Sequence, residues 1–202
     1  MSILPLFKYS RKRIVHIMNQ STTFWNEKMK HLFNLYDADH DGSITPADFE
    51  ILADKLSALV GQDDGERREQ YANARKTLCQ EIMRADANQD GKVTLEEWID
   101  FHQHLAKELQ KPDTSPEILE QLSERMNTTF HMLDLNHDGY IAKDEWVKTC
   151  QFFGVDQTTA ERSFQQLSKD DKLEEDKAKH LFFEYLKSDD PNHISNCCLC
   201  FL

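Results

Sequence analysis

No run of 18 or more apolar residues occurs in the 202-residue chain, and a helix needs about that many to cross a bilayer. A soluble chain is expected. Basic residues are outnumbered, 24 Lys+Arg against 36 Asp+Glu for a formal net charge of −12, so the molecule as a whole repels nucleic acid and draws in cations. The Gly-x-x-x-x-Gly-Lys-Ser/Thr phosphate loop is missing, and no Ser-His-Asp or Cys-His set of a hydrolase can be placed. The five cysteines, Cys79, Cys150, Cys197, Cys198 and Cys200, are odd in number and crowded toward the tail, unlike a disulfide framework. Within Met1 to Gln20, the charges Lys8, Arg11, Lys12 and Arg13 follow a short apolar patch, whereas a secretory signal places its charges first. The expectation is a reducing, cytoplasmic setting. Ser2 stands where N-myristoylation needs Gly, and Leu199 where a prenylation box needs Cys.

What the chain does have is a repeat. Asp37-Ala-Asp-His-Asp-Gly-Ser-Ile-Thr-Pro-Ala-Asp48, Asp86-Ala-Asn-Gln-Asp-Gly-Lys-Val-Thr-Leu-Glu-Glu97 and Asp134-Leu-Asn-His-Asp-Gly-Tyr-Ile-Ala-Lys-Asp-Glu145 share one pattern, with starts 49 and 48 residues apart. Apolar residues at helical spacing flank each copy: Trp25, Met29, Leu32, Phe33 and Tyr36 lead into the first, and Phe49, Leu52, Ala53, Leu56 and Val60 follow it. Phe33, Ile82 and Phe130 each stand four residues before a copy, while Phe49, Trp98 and Trp146 each come directly after one. These are predicted core anchors. Gly61-Gln-Asp-Asp-Gly65 and Lys111-Pro-Asp-Thr-Ser-Pro116 interrupt the helical pattern as linkers.

The spacing is that of an EF-hand calcium loop. Ca²⁺ is a hard cation that takes six to eight oxygens, and a 12-residue loop supplies them from positions 1, 3, 5, 7, 9 and 12. Asp37, Asp39 and Asp41, then Asp86, Asn88 and Asp90, then Asp134, Asn136 and Asp138 offer side-chain oxygens at positions 1, 3 and 5. Ser43, Lys92 and Tyr140 contribute backbone carbonyls at position 7, which is why such different side chains serve there. Gly42, Gly91 and Gly139 fill position 6, where the chain turns with a positive φ. Ile44, Val93 and Ile141 at position 8 suit a short strand pairing two loops. At position 9, Thr45 and Thr94 can orient a coordinating water and Ala142 cannot. Glu97 and Glu145 at position 12 reach an ion with both oxygens, whereas Asp48 is one methylene shorter and lowers the coordination number toward the six that Mg²⁺ prefers. Three Ca²⁺ sites are expected, the first being the one open to Mg²⁺.

A fourth unit is indicated by Phe164-Gln-Gln-Leu167, which would put Ser168 at position 1. Its ligands fail: Lys172 falls at position 5, Leu173 replaces the glycine, Glu175 the β-branched residue, and Lys179 stands at position 12. It is expected to bind no metal and to serve as structural partner for the third hand. The predicted fold is all-α: a compact four-EF-hand chain in two paired lobes, with short β pairings between loops. The expected divisions are a basic extension at 1–20, hands one and two at 21–110, hand three and the degenerate hand at 115–190, and a cysteine-containing tail at 191–202.

With these loops, the degenerate fourth, and the ending Phe183-Glu-Tyr-Leu-Lys-Ser-Asp-Asp190, the sequence resembles the sarcoplasmic calcium-binding protein and calexcitin family over roughly residues 23 to 190. The resemblance implies a cytosolic four-hand protein, a Ca²⁺ and Mg²⁺ buffer in the sarcoplasmic branch or a neuronal signalling protein in the calexcitin branch. It also implies, for the latter branch, GTP binding and the modulation of ion channels, for which no phosphate loop is present here.

Buffer and sensor both remain open. A calmodulin-type sensor exposes a Met-rich groove, but only six Met occur, and Met29, Met83, Met126 and Met132 sit in entering helices among Phe and Leu. That pattern fits a fixed core and favours a buffer or a specialised signaller, with a protein target or membrane channel as partner in the second case. A photoprotein-like enzyme is the remote alternative. Its suggestive pair, His102 and His104, is two residues apart and does not share a helix face, so both are read as solvated surface histidines. The basic leader and the cysteines of the tail together would meet the two-signal requirement for peripheral membrane anchoring by palmitoylation. A monomer is expected.

Overall fold

The computed structural model describes residues 24–57, 65–168 and 170–199. The basic leader, all of the first linker except Gly65, and Cys200 lie outside them. Eight helices are described: α1 Phe24–Tyr36, α2 Pro46–Ser57, α3 Gly65–Ile82, α4 Leu95–Glu108, α5 Pro116–Leu133, α6 Lys143–Phe152, α7 Gln157–Leu167 and α8 Glu175–Lys187. Their starts have local causes. At α4 the Thr94 hydroxyl accepts the Glu97 N–H while the Glu97 carboxylate accepts the Thr94 N–H, a reciprocal capping box. Proline occupies the first position of α2 and α5, where its missing N–H leaves no bond unmade. Asp156 caps α7 by accepting the Thr159 N–H.

Between the helices of each hand lies a two- or three-residue strand. β1 Ser43–Ile44 pairs antiparallel with β2 Val93–Thr94, Ile44 opposite Val93; β3 Tyr140–Ala142 pairs antiparallel with β4 Lys172–Glu174, Ile141 opposite Leu173. The hands are therefore joined two by two through their loops, as the β-branched position 8 predicted. All four of these central side chains are buried.

Two apolar clusters form beneath the loops, and the first draws on both halves of the chain. It joins Trp25, Met29, Leu32 and Phe33 of α1, Phe49, Leu78, Ile82 and Trp98 to Leu122 and Met126 of α5 and Phe182, Tyr185 and Leu186 of α8. The second holds Phe130, Ile141, Trp146, Phe164, Leu167 and Leu173 with Cys197 of the tail. All six sequence-predicted anchors are buried, and each fully buried Leu, Ile or Phe contributes about 1.5–3 kcal/mol.

Polar contacts pin the first helix to the last. The Trp25 indole N–H donates to the Leu186 carbonyl at 2.7 Å, Lys28 Nζ donates to the carbonyls of Tyr185 and Ser188 at 2.6 Å each, and the Tyr185 hydroxyl donates back to the Lys28 carbonyl at 3.1 Å. Lys28 thus places a cation on carbonyls at the C-terminus of α8, where the helix dipole is negative. Burial lowers its pKa to about 8, with Asp189 opposing the shift.

Two expectations are corrected. His102 is not a solvated surface residue: it is 1% exposed, because Trp98, His102 and Ala106 recur every fourth residue and form the buried stripe of α4. Its Nδ1 lies 2.9 Å from the Trp98 carbonyl. The cysteines are not all free thiols either, since Cys150 is disulfide-bonded. In a reducing compartment such a bond would stand as thiols.

Candidate metal centres

Each loop folds by the same set of turns, and these aim its oxygens. The position 1 aspartate receives the N–H of position 5 on one oxygen and that of position 6 on the other: Asp37 from Asp41 and Gly42 at 3.1 Å each, Asp86 from Asp90 and Gly91 at 3.3 and 2.9 Å, and Asp134 from Asp138 and Gly139 at 3.3 and 3.0 Å. The position 3 side chains Asp39, Asn88 and Asn136 accept the position 5 N–H at 3.0, 2.8 and 2.9 Å. The position 5 side chains Asp41, Asp90 and Asp138 accept the N–H of Ser43, Lys92 and Tyr140 at 2.9, 3.0 and 3.1 Å. Every acidic or amide oxygen so held is fixed from the backbone side, as in Asx-turns.

Gly42, Gly91 and Gly139 have φ of 91°, 86° and 85°, so the positive φ expected at position 6 is present in all three. Position 4 also turns left-handed, at His40, Gln89 and His137 with φ of 61°, 60° and 57°. Sequence reasoning missed these, since nothing about Gln or His demands that conformation; the tightness of the loop imposes it.

Position 12 closes each loop differently. Asp48 is buried, one oxygen accepting the N–H of Ala38 at 2.9 Å and Asp39 at 3.3 Å, the other the N–H of Thr45 at 2.7 Å and its hydroxyl at 3.0 Å. Glu145, also buried, spans its loop from the Asn136 N–H at 2.9 Å to the Ala142 N–H at 2.7 Å. Glu97 accepts the Thr94 N–H at 3.0 Å and hydroxyl at 2.9 Å. The threonine hydroxyls at position 9 therefore face the closing carboxylate, and Ala142 has none to offer.

Carboxylates converge most closely in the first loop, where oxygens of Asp37, Asp39 and Asp48 lie within 4.8 Å of one another. Loops two and three carry Asn at position 3 and so have one carboxylate fewer to gather. Burial raises the Asp37 pKa above its ordinary value, the Gly42 N–H acting against that and the Asp48 charge adding to it, while the Ser43 hydroxyl pulls Asp41 down. Held side by side, such carboxylates repel one another unless a cation lies among them. The donors are all hard oxygens, in the number and order that suit Ca²⁺, so these residues fit the ion.

In the fourth hand the strand register changes the sequence alignment. Leu173 pairs with Ile141, so it occupies position 8 and not the glycine position, and α8 begins at Glu175 where the other loops have position 10. The loop is two residues shorter than its partners, which the ungapped count from Ser168 did not allow for. Asp171 keeps the left-handed φ of position 4, at 54°. Beyond it the Ser168 hydroxyl donates to the Lys172 carbonyl, and Lys172 Nζ lies 4.5 Å from the Tyr140 ring centroid. The Lys172 ammonium thus rests on a ring of the third loop.

In the tail, Cys197 is buried with its thiol 3.2 Å from Gln166 Oε1, and burial raises the pKa of both Cys197 and Cys198. Acylation of either would require the tail to leave its seat. No helix among the described residues is long and apolar enough to cross a membrane.

Comparison with known proteins agrees with the loop anatomy. Residues 26–103 match the family described as an EF-hand domain pair, and residues 126–150 match the EF hand. The chain is 31% identical over 131 residues to the sarcoplasmic calcium-binding protein alpha-B and -A chains of Penaeus sp.; the aligned stretch covers 62% of this chain and 66% of that protein, just under two thirds of its length. Mitrocomin of Mitrocoma cellularia, a Ca²⁺-regulated photoprotein, is 28% identical over 168 residues, 80% of this chain and 82% of its own. Among solved structures, a sarcoplasmic calcium-binding protein from amphioxus superposes with a TM-score of 0.68 at 21% identity, covering 89% of this chain and 97% of that one. The four-hand arrangement is thus a known fold.

Proposed function

From the premise that this calcium-binding chain belongs to the four-EF-hand family of the sarcoplasmic calcium-binding proteins, we propose that it acts as a Ca²⁺ buffer with three metal sites. Asp37, Asp39, Asp41, Ser43 and Asp48 hold the first ion, Asp86, Asn88, Asp90, Lys92 and Glu97 the second, and Asp134, Asn136, Asp138, Tyr140 and Glu145 the third, with Mg²⁺ competing at the first because Asp48 is short. The fourth hand stays empty of metal and supports the third through β3 and β4.

The observation that favours a buffer over a sensor is the contact of α1 with α8. A sensor must part its helices and expose an apolar groove, whereas here Trp25, Lys28 and Tyr185 bond the first hand to the last, over a cluster that already takes residues from α5 and α8. Opening the hands would strip those buried partners, and each broken hydrogen bond that leaves a buried group unpaired costs about 1–3 kcal/mol. Filling the three sites takes the formal charge from −12 to −6 and stabilises the closed form instead.

Calorimetric Ca²⁺ titration with and without millimolar Mg²⁺, with apolar-dye binding followed on the same samples, tests this. The expected result is three sites, at least one weakened by Mg²⁺, with no rise in dye fluorescence on Ca²⁺ addition. Micromolar Ca²⁺-selective sites that expose apolar surface would overturn the buffer reading in favour of a sensor acting on a protein target or channel.

A further inference from the structure

Between the paired hands lies a cavity of about 170 Å³ to which all four hands contribute. Tyr36 and Phe49 come from the first, Leu78 from the second, Ile141 and Trp146 from the third and Phe182 from the fourth. The wall is almost wholly apolar. Among the described residues, the two cations that reach it, Arg75 and Lys179, are paired with Glu50 and with Glu175 at its edge, and the Thr129 hydroxyl is spent on the Arg125 carbonyl at 2.9 Å. We infer that this cavity is a binding site for a small, uncharged, planar aromatic molecule of one or two rings, and that its occupancy is coupled to Ca²⁺ at the first and third loops.

Size and wall chemistry select that class. An engineered cavity of about 150 Å³ lined by aliphatic and aromatic side chains stays dry and takes up benzene, so a space of this volume suits one or two rings. A charged ligand would find no unpaired counter-ion among the described wall residues and would bear the full cost of desolvation. Tyr36, Phe49, Phe130, Trp146, Phe153 and Phe182 stand among the leucines of the wall, and such rings favour offset or edge contacts with a flat ring.

The coupling follows from where the wall residues stand in the hands. Phe49 and Trp146 each follow the closing carboxylate of a loop, Asp48 and Glu145, and Ile141 is the central residue of the β3–β4 pair. Metal held by those carboxylates fixes the starts of α2 and α6 and with them two faces of the cavity. A ligand entering an ordered wall loses less freedom of its host, so Ca²⁺ tightens ligand binding and the ligand tightens Ca²⁺ by the same factor. Since the coupling rests on the metal sites proposed above, the cavity is tested first in their absence.

The probe is naphthalene, titrated into the full chain in chelator and again in Ca²⁺, with the tryptophan indole N–H resonances followed by ¹H–¹⁵N NMR. Of the three tryptophans, Trp146 lines the cavity, whereas Trp25 and Trp98 belong to the first cluster. The expected result is a saturable shift of the Trp146 resonance that leaves Trp25 unmoved, with a dissociation constant about fivefold or more lower in Ca²⁺. Ala178→Phe fills the cavity from α8 and Leu52→Trp fills it from α2; either variant that folds is expected to lose the shift while keeping its Ca²⁺ stoichiometry. Absence of a saturable shift in both conditions, or shifts that survive the filled variants, would overturn the site. A shift equal in chelator and Ca²⁺, in protein whose calorimetry shows metal bound, would remove the coupling. A shift in protein that binds no Ca²⁺ would leave the cavity standing and remove the metal reading.

Discussion

His102 gives a prediction that separates a buried, neutral ring from the surface histidine of the sequence reading. Its Nδ1 faces the Trp98 carbonyl at 2.9 Å, so the neutral tautomer carries its hydrogen there. Burial, with the Arg125 charge adding to it, lowers the pKa from 6.5 to about 3. In the unfolded chain the ring takes up its proton near pH 6.5. Between about pH 6.5 and 3 the unfolded state therefore binds the more protons, and stability falls as the pH falls through that window. At pH 5 the loss from this one group is about 2 kcal/mol. Urea melts of the wild type and of His102→Gln, run in chelator at pH 7.5 and 5.0 so that metal linkage is absent, isolate it. The variant has its own offset at pH 7.5, but the wild type is expected to lose about 2 kcal/mol more between the two pH values. Equal losses in the two proteins would mean that His102 is reached by water or protonated in the fold, and the reasoning would be refuted.

Glu145→Gln removes the closing carboxylate of the third loop, so calorimetry is expected to count one Ca²⁺ fewer while the first two sites persist; an unchanged count would show that Glu145 is not a ligand. Chelator should lower the unfolding free energy by roughly 2.7 kcal/mol for each site held at about 100 times its dissociation constant, and coincident thermal melts in chelator and Ca²⁺ would contradict metal-linked stability. Ile141→Ala empties a position that is 1% exposed and opposite Leu173, so urea unfolding should show a loss of about 2–5 kcal/mol. Lys28→Met keeps the stem and removes the donors to Tyr185 and Ser188. If the contact of α1 with α8 holds the hands shut, apolar-dye binding should rise in this variant, and no rise would show that packing alone suffices.

Short-range chemistry is legible along the chain. An aspartate five residues before a glycine receives that glycine's N–H, a β-branched residue two further on enters a strand, and a threonine three before a glutamate makes a capping box. Such rules involve neighbours along one loop, and they place the three loops, their oxygens and the helix starts. Helical spacing likewise marks Phe33, Trp98 and Trp146 as core, and the four-residue step from Trp98 carries the same buried stripe of α4 on to His102. The remaining features arise in the folded chain alone, because they depend on partners far apart in sequence. Register against Ile141 showed the fourth loop to be two residues short. Packing of the tail on α7 and α8 buried Cys197 and placed Cys198 on the cavity wall, and the return of α8 to α1 gave Lys28 its carbonyls. The cavity is a feature of the same kind: no one hand encloses it, and it exists because four apolar faces meet without filling the space between them.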